Sequence, residues 1–278
     1  MTKPRIEIAG RPIGTDAPPY IIADMSCNHL GSLDNALKLI DAAKWAGADA
    51  IKPQLYTPDE LCKPGTIAGP GPWQGQDFYD IYTKYQTPRR WFPHLFKHAQ
   101  DVGITIFSSV FSLEGVDYLK SLGCPAYKIS STEWNWTPLL EKVTATGKPV
   151  LISVPKFIYP APPDSPIQMY NRPGYPVQMD DASMADIIQG LGYVHGFSSH
   201  IMDSRGMIMA VALGCSLIEA HIALDLRQGG PDVTFSWEPH RFRDMVDDCH
   251  MAWRAMRSQD AKGPSMVRDE KTGLRKVA

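Results

Sequence analysis

The residues of this chain best suited to chemistry are two histidines that each close a short apolar run. His200 ends Tyr-Val-His-Gly-Phe-Ser-Ser-His (193–200), and His221 ends Leu-Ile-Glu-Ala-His (217–221). The segment between them, 206–214, is apolar at helical period, so the whole reads as strand, helix, strand. Such a unit sets two parallel strand ends side by side at one rim, where neighbouring imidazoles can share a divalent cation. A lone histidine is more often a hydrogen-bonded core residue. The pairing favours the ligand reading here.

Other reactive side chains fall at comparable positions. Asp24 closes one apolar run, and Lys52 with Gln54 closes the next. Lys128, Ser131 and Glu133 stand at the end of another, Ser153 in a fifth, and Ser198 just before the first histidine. Asp232 follows in Gly-Gly-Pro-Asp (229–232). A lysine beyond a strand is usually solvated. Lys52 and Lys128, however, lie inside apolar strands, where a buried ammonium needs an anion nearby. With the serine hydroxyls as neutral donors, the set describes a phosphate or carboxylate pocket beside a metal.

The elements that position these residues recur at regular intervals. Apolar runs at 20–25, 48–55, 104–110, 126–129, 149–154, 193–197 and 217–223 alternate with helical patterns such as 32–46, 113–122 and 137–146. Strand and helix in alternation imply parallel strands. With one more strand placed at 167–171, the pattern predicts an α/β fold of the TIM (β/α)8 barrel type over a doubly wound open sheet. An N-terminal β-hairpin is expected at 6–13, turning at Gly10-Arg11. The stretch 63–85, rich in glycine, proline and aromatics, reads as a loop across the active rim. The proline-rich stretch 156–181 excludes an ordinary helix, so an irregular segment replaces the crossover after the fifth strand. Residues 1–257 form the barrel domain; 258–278 read as a polar tail or linker.

Composition narrows the function classes. Of 278 residues, 44% are hydrophobic and 21% charged, enough for a large core in a soluble protein. A formal charge of −2 gives no case for nucleic acid or an anionic membrane as partner. No apolar window of about 18 residues is present, and the N-terminus has no signal-like stretch. Five dispersed cysteines fit reduced thiols in the cytoplasm.

In order along the chain stand NHLGS (28–32), AGADAIKPQ (46–54), PAYKISSTE (125–133), GKPVLIS (147–153), GFSSH (196–200), ALGCSLIEAHIALD (212–225) and GGPD (229–232). In these motifs and their spacing, the sequence resembles the sialic acid (N-acetylneuraminate) synthases and the related legionaminate and pseudaminate synthases, from about residue 6 to 256. The resemblance implies a barrel that condenses phosphoenolpyruvate with an amino-sugar aldehyde such as N-acetylmannosamine, giving a sialic-type acid and phosphate. It implies that His200 and His221 bind Mn²⁺ or Mg²⁺, and that Lys52, Lys128, Ser131, Ser153 and Ser198 hold phosphoenolpyruvate. Asp24, where the family usually has Glu, would handle protons or water, while Gln54, Glu133 and Asp232 would face the sugar. Family members commonly form homodimers, and no organic cofactor is required.

Several positions depart from the family pattern. Ser199 replaces an Asp and Ala220 a Lys or Arg, each changing the charge expected around the metal. Pro155 stands where Gly is usual. Both Tyr159-Pro160 and Tyr175-Pro176 match the Tyr-Pro pair that ends the sixth strand; the second leaves the better distance to 190–200 and puts Asn171 or Arg172 beside the phosphate. The chain stops where the linker to the family's antifreeze-like (SAF) domain would begin. Two other readings stay open: a metal-dependent aldolase or lyase, and a non-catalytic binding protein on the same barrel. His29 suits either the site or the core, and Trp134, Trp136 and Trp237 suit either a sugar face or packing.

Overall fold

A computed structural model describes residues 6–158, 166–190, 193–257, 266–268, 272 and 275–277 of the chain. The first element is the expected hairpin. β1 (Ile6–Ile8) pairs antiparallel with β2 (Arg11–Ile13), turning at Gly10 with φ +83°, and Ile8 and Ile13 are fully buried.

Eight parallel staves follow. They are β3 (Tyr20–Asp24); β4 (Ala50–Lys52) continued by β5 (Gln54–Leu55); β6 (Thr105–Ile106) continued by β7 (Ser108–Val110); β8 (Tyr127–Ile129); β9 (Val150–Val154); β10 (Ile167–Tyr170); β11 (Gly196–Ser199); and β12 (Leu217–Ile222). Each stave pairs with the next, and β12 pairs with β3, so the ring closes as a barrel. Pro53 splits the second stave because it has no N–H for the ladder. Its carbonyl still accepts from Ser109 N at 3.1 Å, which keeps the stave in line. β13 (Ser236–Trp237) extends the barrel at the end of β12, with His221 opposite Ser236.

Helices form an outer layer, several of them starting behind a side-chain cap. α1 (Leu33–Trp45) starts at Ser32, whose hydroxyl accepts from Asn35 N. α2 (Pro58–Leu61) opens with a Thr57–Glu60 capping box, and α3 (Phe78–Tyr85) is capped by Asp77. α4 (Phe92–Val102) ends at Gly103 in the left-handed region, φ +72°. α5 (Leu113–Ser121), α6 (Thr137–Thr144), α7 (Ser204–Ala212) and α8 (Pro239–Ala255) complete the layer. Among the described residues, no helix joins β9 to β10, as the prolines required. Gln168 of β10 instead clamps the incoming backbone, exchanging two hydrogen bonds with Ile158 at 2.7 and 2.8 Å.

Two segments differ from the sequence reading. The stretch 63–85 is a loop only as far as Asp77, because Phe78, Ile81 and Tyr82 recur at helical spacing behind the Asp77 cap and form one face of α3. In the tail read as a linker, β14 (Met266–Arg268) pairs antiparallel with β15 (Arg275–Val277). Of the two Tyr-Pro pairs, Tyr159-Pro160 lies outside the described residues. Among the described residues, no helix is long and apolar enough to cross a membrane.

Candidate active site

Strand register puts the reactive residues in rows at the C-terminal rim. His221, Asp24 and Lys52 are opposite one another on three adjacent staves, and Gln54, farther along the Lys52 stave, is level with Ser109 and Lys128 on the next two. Ser198 lies opposite Glu219. Because side chains alternate along a strand, Ser198 and His200 turn one way and Ser199 the other, and likewise Glu219 and His221 against Ala220. Ser199 instead receives the N–H of Ile201 at 3.0 Å, and Ala220 is in the core. Neither lines the cavity, so both departures from the family pattern fall behind its wall.

A cavity of about 430 Å³ opens at this rim. It is lined by Asp24, Lys52, Gln54, Lys128, Ser131 and Glu133, and on its other side by Ser153, Asn171, Ser198, His200, His221 and Asp232. Every site residue named from the sequence is therefore on one wall or another of a single chamber. Of the Asn171 and Arg172 alternatives, Asn171 is buried, its amide donating to Ser198 O at 2.9 Å, while Arg172 is exposed and outside the lining.

The floor is a buried network of two ammonium groups and two carboxylates. Lys52 Nζ is 2.6 Å from Asp24 Oδ2 and 2.9 Å from Ser109 Oγ. Lys128 Nζ donates to Ser153 Oγ at 2.7 Å and to Glu219 Oε1 at 3.2 Å, and Ser198 Oγ donates to the same oxygen at 2.9 Å. Glu219 Oε2 is 3.9 Å from Lys52 and has no hydrogen bond. Lys52 is 2% exposed and Lys128 and Asp24 3% each, so the charges persist only by mutual pairing. Burial pushes the Asp24 carboxyl up, but Lys52 and His221 outweigh it and hold it at about 2. Burial pulls Lys52 down, and Asp24 with Glu219 more than reverses that. For Lys128 burial prevails and its affinity for the proton falls. An incoming dianion would meet two lysine side chains already desolvated and held in place by hydrogen bonds.

The imidazole pair closes one side. The ring centroids of His200 and His221 are 5.3 Å apart at 65°. His200 Nδ1 donates to Gly174 O at 3.1 Å, which leaves Nε2 with the lone pair. Burial and the neighbouring His221 lower its pKa to about 3, so the ring is neutral at pH 7. His221 Nε2 is 3.7 Å from Asp24, its Nδ1 is 3.9 Å from Asp232, and that Nδ1 has no hydrogen bond although buried. Among the described residues, no group of three or more His, Cys, Asp or Glu is gathered to hold a metal. The donor set fits an ion held by two imidazoles, with its other positions left to solvent or substrate.

At the mouth, Glu133 accepts from Ser130 and Thr132 hydroxyls, and Asp232 accepts from Ser26, which also receives Gln54 Nε2 at 3.2 Å. Asp232 sits past Gly230, which has φ +121° and would bring a Cβ to 2.7 Å from Leu30, so only glycine makes that turn. Trp73, Tyr175 and Phe235 add an aromatic wall. The sequence reading missed Glu219, Ser109 and this wall as site residues. Glu219 carried the same signal as the lysines, a charge inside an apolar strand; Trp73 carried only its place in the aromatic-rich stretch read as crossing the rim.

Four other aromatic side chains do not join the chamber. His29 is fully buried, hydrogen-bonded to Thr87 Oγ1 at 3.1 Å and edge-on to Trp91. Trp134 packs against the core, Trp136 is exposed and Trp237 is buried away from the lining. Burial lowers His29 from 6.5 to about 4. The unfolded chain then takes up a proton that the folded one refuses, so this contribution is complete above pH 6.5 and disappears as pH falls toward 4. It amounts to about 3 kcal/mol. Urea unfolding across that range should show His29→Gln with a flatter decline than the parent; an unchanged slope would contradict the assignment.

Comparison with known proteins agrees with this architecture. The chain is 36% identical over 261 residues to a pseudaminic acid synthase of Campylobacter jejuni, spanning 87% of this chain and 76% of the relative. It is 28% identical over 270 residues to the N-acetylneuraminate-9-phosphate synthase of Mus musculus, spanning 90% and 74%. A crystal structure of N-acetylneuraminic acid (sialic acid) synthetase from Leptospira borgpetersenii in complex with citrate superposes with TM-score 0.81 at 25% identity, covering 95% of this chain and 93% of that one. With the NeuB family matching residues 39–155 and 170–261, the chain belongs to the NeuB family.

Proposed function

We propose that this enzyme joins phosphoenolpyruvate to an amino-sugar aldehyde, forming a nonulosonic acid and releasing phosphate. The observation that carries the reading is the chamber itself, with two buried, carboxylate-paired lysines on its floor and two adjacent imidazoles on its wall. Lys52 and Lys128 would hold the phosphate and carboxylate of phosphoenolpyruvate, with Ser131, Ser153, Ser198 and Asn171 as neutral donors. A divalent cation, Mn²⁺ or Mg²⁺, held by His200 and His221 would polarise the aldehyde carbonyl. Gln54, Glu133 and Asp232 would orient the sugar. The enol carbon bonds to the aldehyde carbon, whose π electrons move to its oxygen. Water adds at the enol ether carbon and gives one proton to that oxygen. The new hydroxyl then collapses to the ketone as the C–O bond to phosphate breaks, its electrons and the hydroxyl proton leaving with phosphate while the lysines offset its charge. Asp24, held at about 2, keeps its charge and anchors Lys52, whereas Glu133 accepts only from hydroxyls and is the freer acid to activate that water. Five free cysteines suit a cytoplasmic setting.

Phosphate release from phosphoenolpyruvate with Mn²⁺ and a panel of amino-sugar aldehydes tests the reading. Release should require the aldehyde and stop with chelator; release without an acceptor, or none with any, counts against it. Lys128→Ala should raise the phosphoenolpyruvate KM at least tenfold with the acceptor KM nearly unchanged, as one charge-assisted contact of about 1.5–3 kcal/mol is lost. Equal losses for both substrates would remove the residue from that role.

A further inference from the structure

We infer that Trp73 is a specificity-determining residue, selecting an uncharged acceptor that turns an apolar group toward the rim; this rests on the condensation reading above. The loop carrying Trp73 is closed by its own hydrogen bonds. Ala68 N donates to Gln76 O at 2.8 Å, Gly75 N to Ala68 O at 3.0 Å, and Asp77 takes the N–H of Gly65 at 2.7 Å while capping α3. The loop therefore presents the indole from a defined frame.

The indole meets Tyr175 at 5.1 Å and Phe235 at 5.9 Å between ring centroids. Those two rings in turn pack on the imidazoles, Tyr175 at 4.3 Å from His200 and Phe235 at 5.1 Å from His221. Trp73 is thus the outer member of a wall that begins at the ring pair where the aldehyde would bind. Its one polar atom is already used, since Nε1 donates to Pro231 O at 2.8 Å. What remains toward the chamber is an apolar face that cannot pair with a hydroxyl or a phosphate. Among the described residues, the only lysine or arginine side chains lining the chamber are the two on its floor, and its mouth carries Glu133 and Asp232. A phosphorylated acceptor would bring its charge to two carboxylates and an aromatic surface. The same Nε1 bond ties the loop to the residue before Asp232, so Trp73 also sets the position of an acid expected to face the sugar.

The two roles separate by substitution. Trp73→Phe keeps the wall and cuts the tie; Trp73→Ala removes both. Steady-state phosphate release should be measured with N-acetylmannosamine, its 6-deoxy form and its 6-phosphate. The parent enzyme should prefer the deoxy form about tenfold and use the phosphate least. Trp73→Ala should reduce that preference to near parity and raise the acceptor KM tenfold or more, with the phosphoenolpyruvate KM within twofold. Trp73→Phe should keep the preference while raising the acceptor KM, and circular dichroism should show both variants folded. Variants matching the parent in preference and KM, or a parent that favours the phosphate, would overturn the inference and leave the condensation reading intact. A parent inactive with every aldehyde would overturn that reading, and the inference with it.

Discussion

Lys52→Met should abolish turnover and, unlike most active-site substitutions, also destabilise the fold. In the parent the Asp24 carboxylate is 2.6 Å from Lys52 Nζ, at 3% exposure. Removing the ammonium leaves that carboxylate in the barrel with Ser26 N at 2.9 Å and Gln54 Nε2 at 3.5 Å as its remaining donors. Breaking a buried pair from one side costs about 3–5 kcal/mol, much of it the penalty on the partner left behind. On the proposed reaction, catalysis should fall about a thousandfold or more, since the charge that would face the phosphate disappears as well. The double variant Lys52→Met with Asp24→Asn separates the two effects. Urea unfolding should show most of the stability restored, while phosphate release stays at background. A single variant as stable as the parent would mean that Asp24 is far better solvated than its burial indicates. Glu219 provides an internal control. It keeps Lys128 at 3.2 Å in every one of these variants, so only one carboxylate is orphaned.

Which parts of this architecture could be read from the sequence follows from how barrels bury their strands. A parallel strand covered on both faces must be apolar throughout, so β3, β9 and β12 appear as continuous runs, and a lysine inside such a run is conspicuous. β10 is harder to recognise. It has four residues, one of them Gln168, whose polar side chain is spent on holding the backbone of Ile158. The rim is harder still. Trp73 lies in a Gly-Pro-rich loop with no period to exploit, and its partners Tyr175 and Phe235 come from two distant loops. α3 was legible in principle, through the Asp77 cap and the 78, 81, 82 spacing, but the glycines and prolines before it dominated the composition of the segment. Glu219 shows a different limit. The argument that singled out Lys52 and Lys128 applies to it equally, and pairing the two lysines with one strand acid was the step that spacing alone did not force.

His221→Ala should be the opposite of Lys52→Met, with turnover lost and the fold kept. The His221 ring is buried, yet its Nδ1 has no hydrogen bond and its nearest carboxylate oxygens are 3.7 and 3.9 Å away, so removing it takes away an attraction to Asp24 that Lys52 still supplies. Its main packing partners are the edges of Phe235 and His200, at 5.1 and 5.3 Å. Stability should change by no more than about 1–2 kcal/mol, in the range of ordinary substitutions. If the unsatisfied nitrogen is there to bind a cation, Mn²⁺ affinity measured by calorimetry or electron paramagnetic resonance should fall about a hundredfold, and kcat by about a thousandfold with the loss of carbonyl polarisation. His200→Ala should weaken Mn²⁺ binding comparably, because the Gly174 carbonyl holds its ring in the tautomer that a metal requires. The decisive comparison is Mn²⁺ binding by the two variants without any substrate. Matching losses mean that one ion is shared by His200, just past β11, and His221 of β12, whereas a loss confined to one histidine would show that the two rings do not act on the same ion.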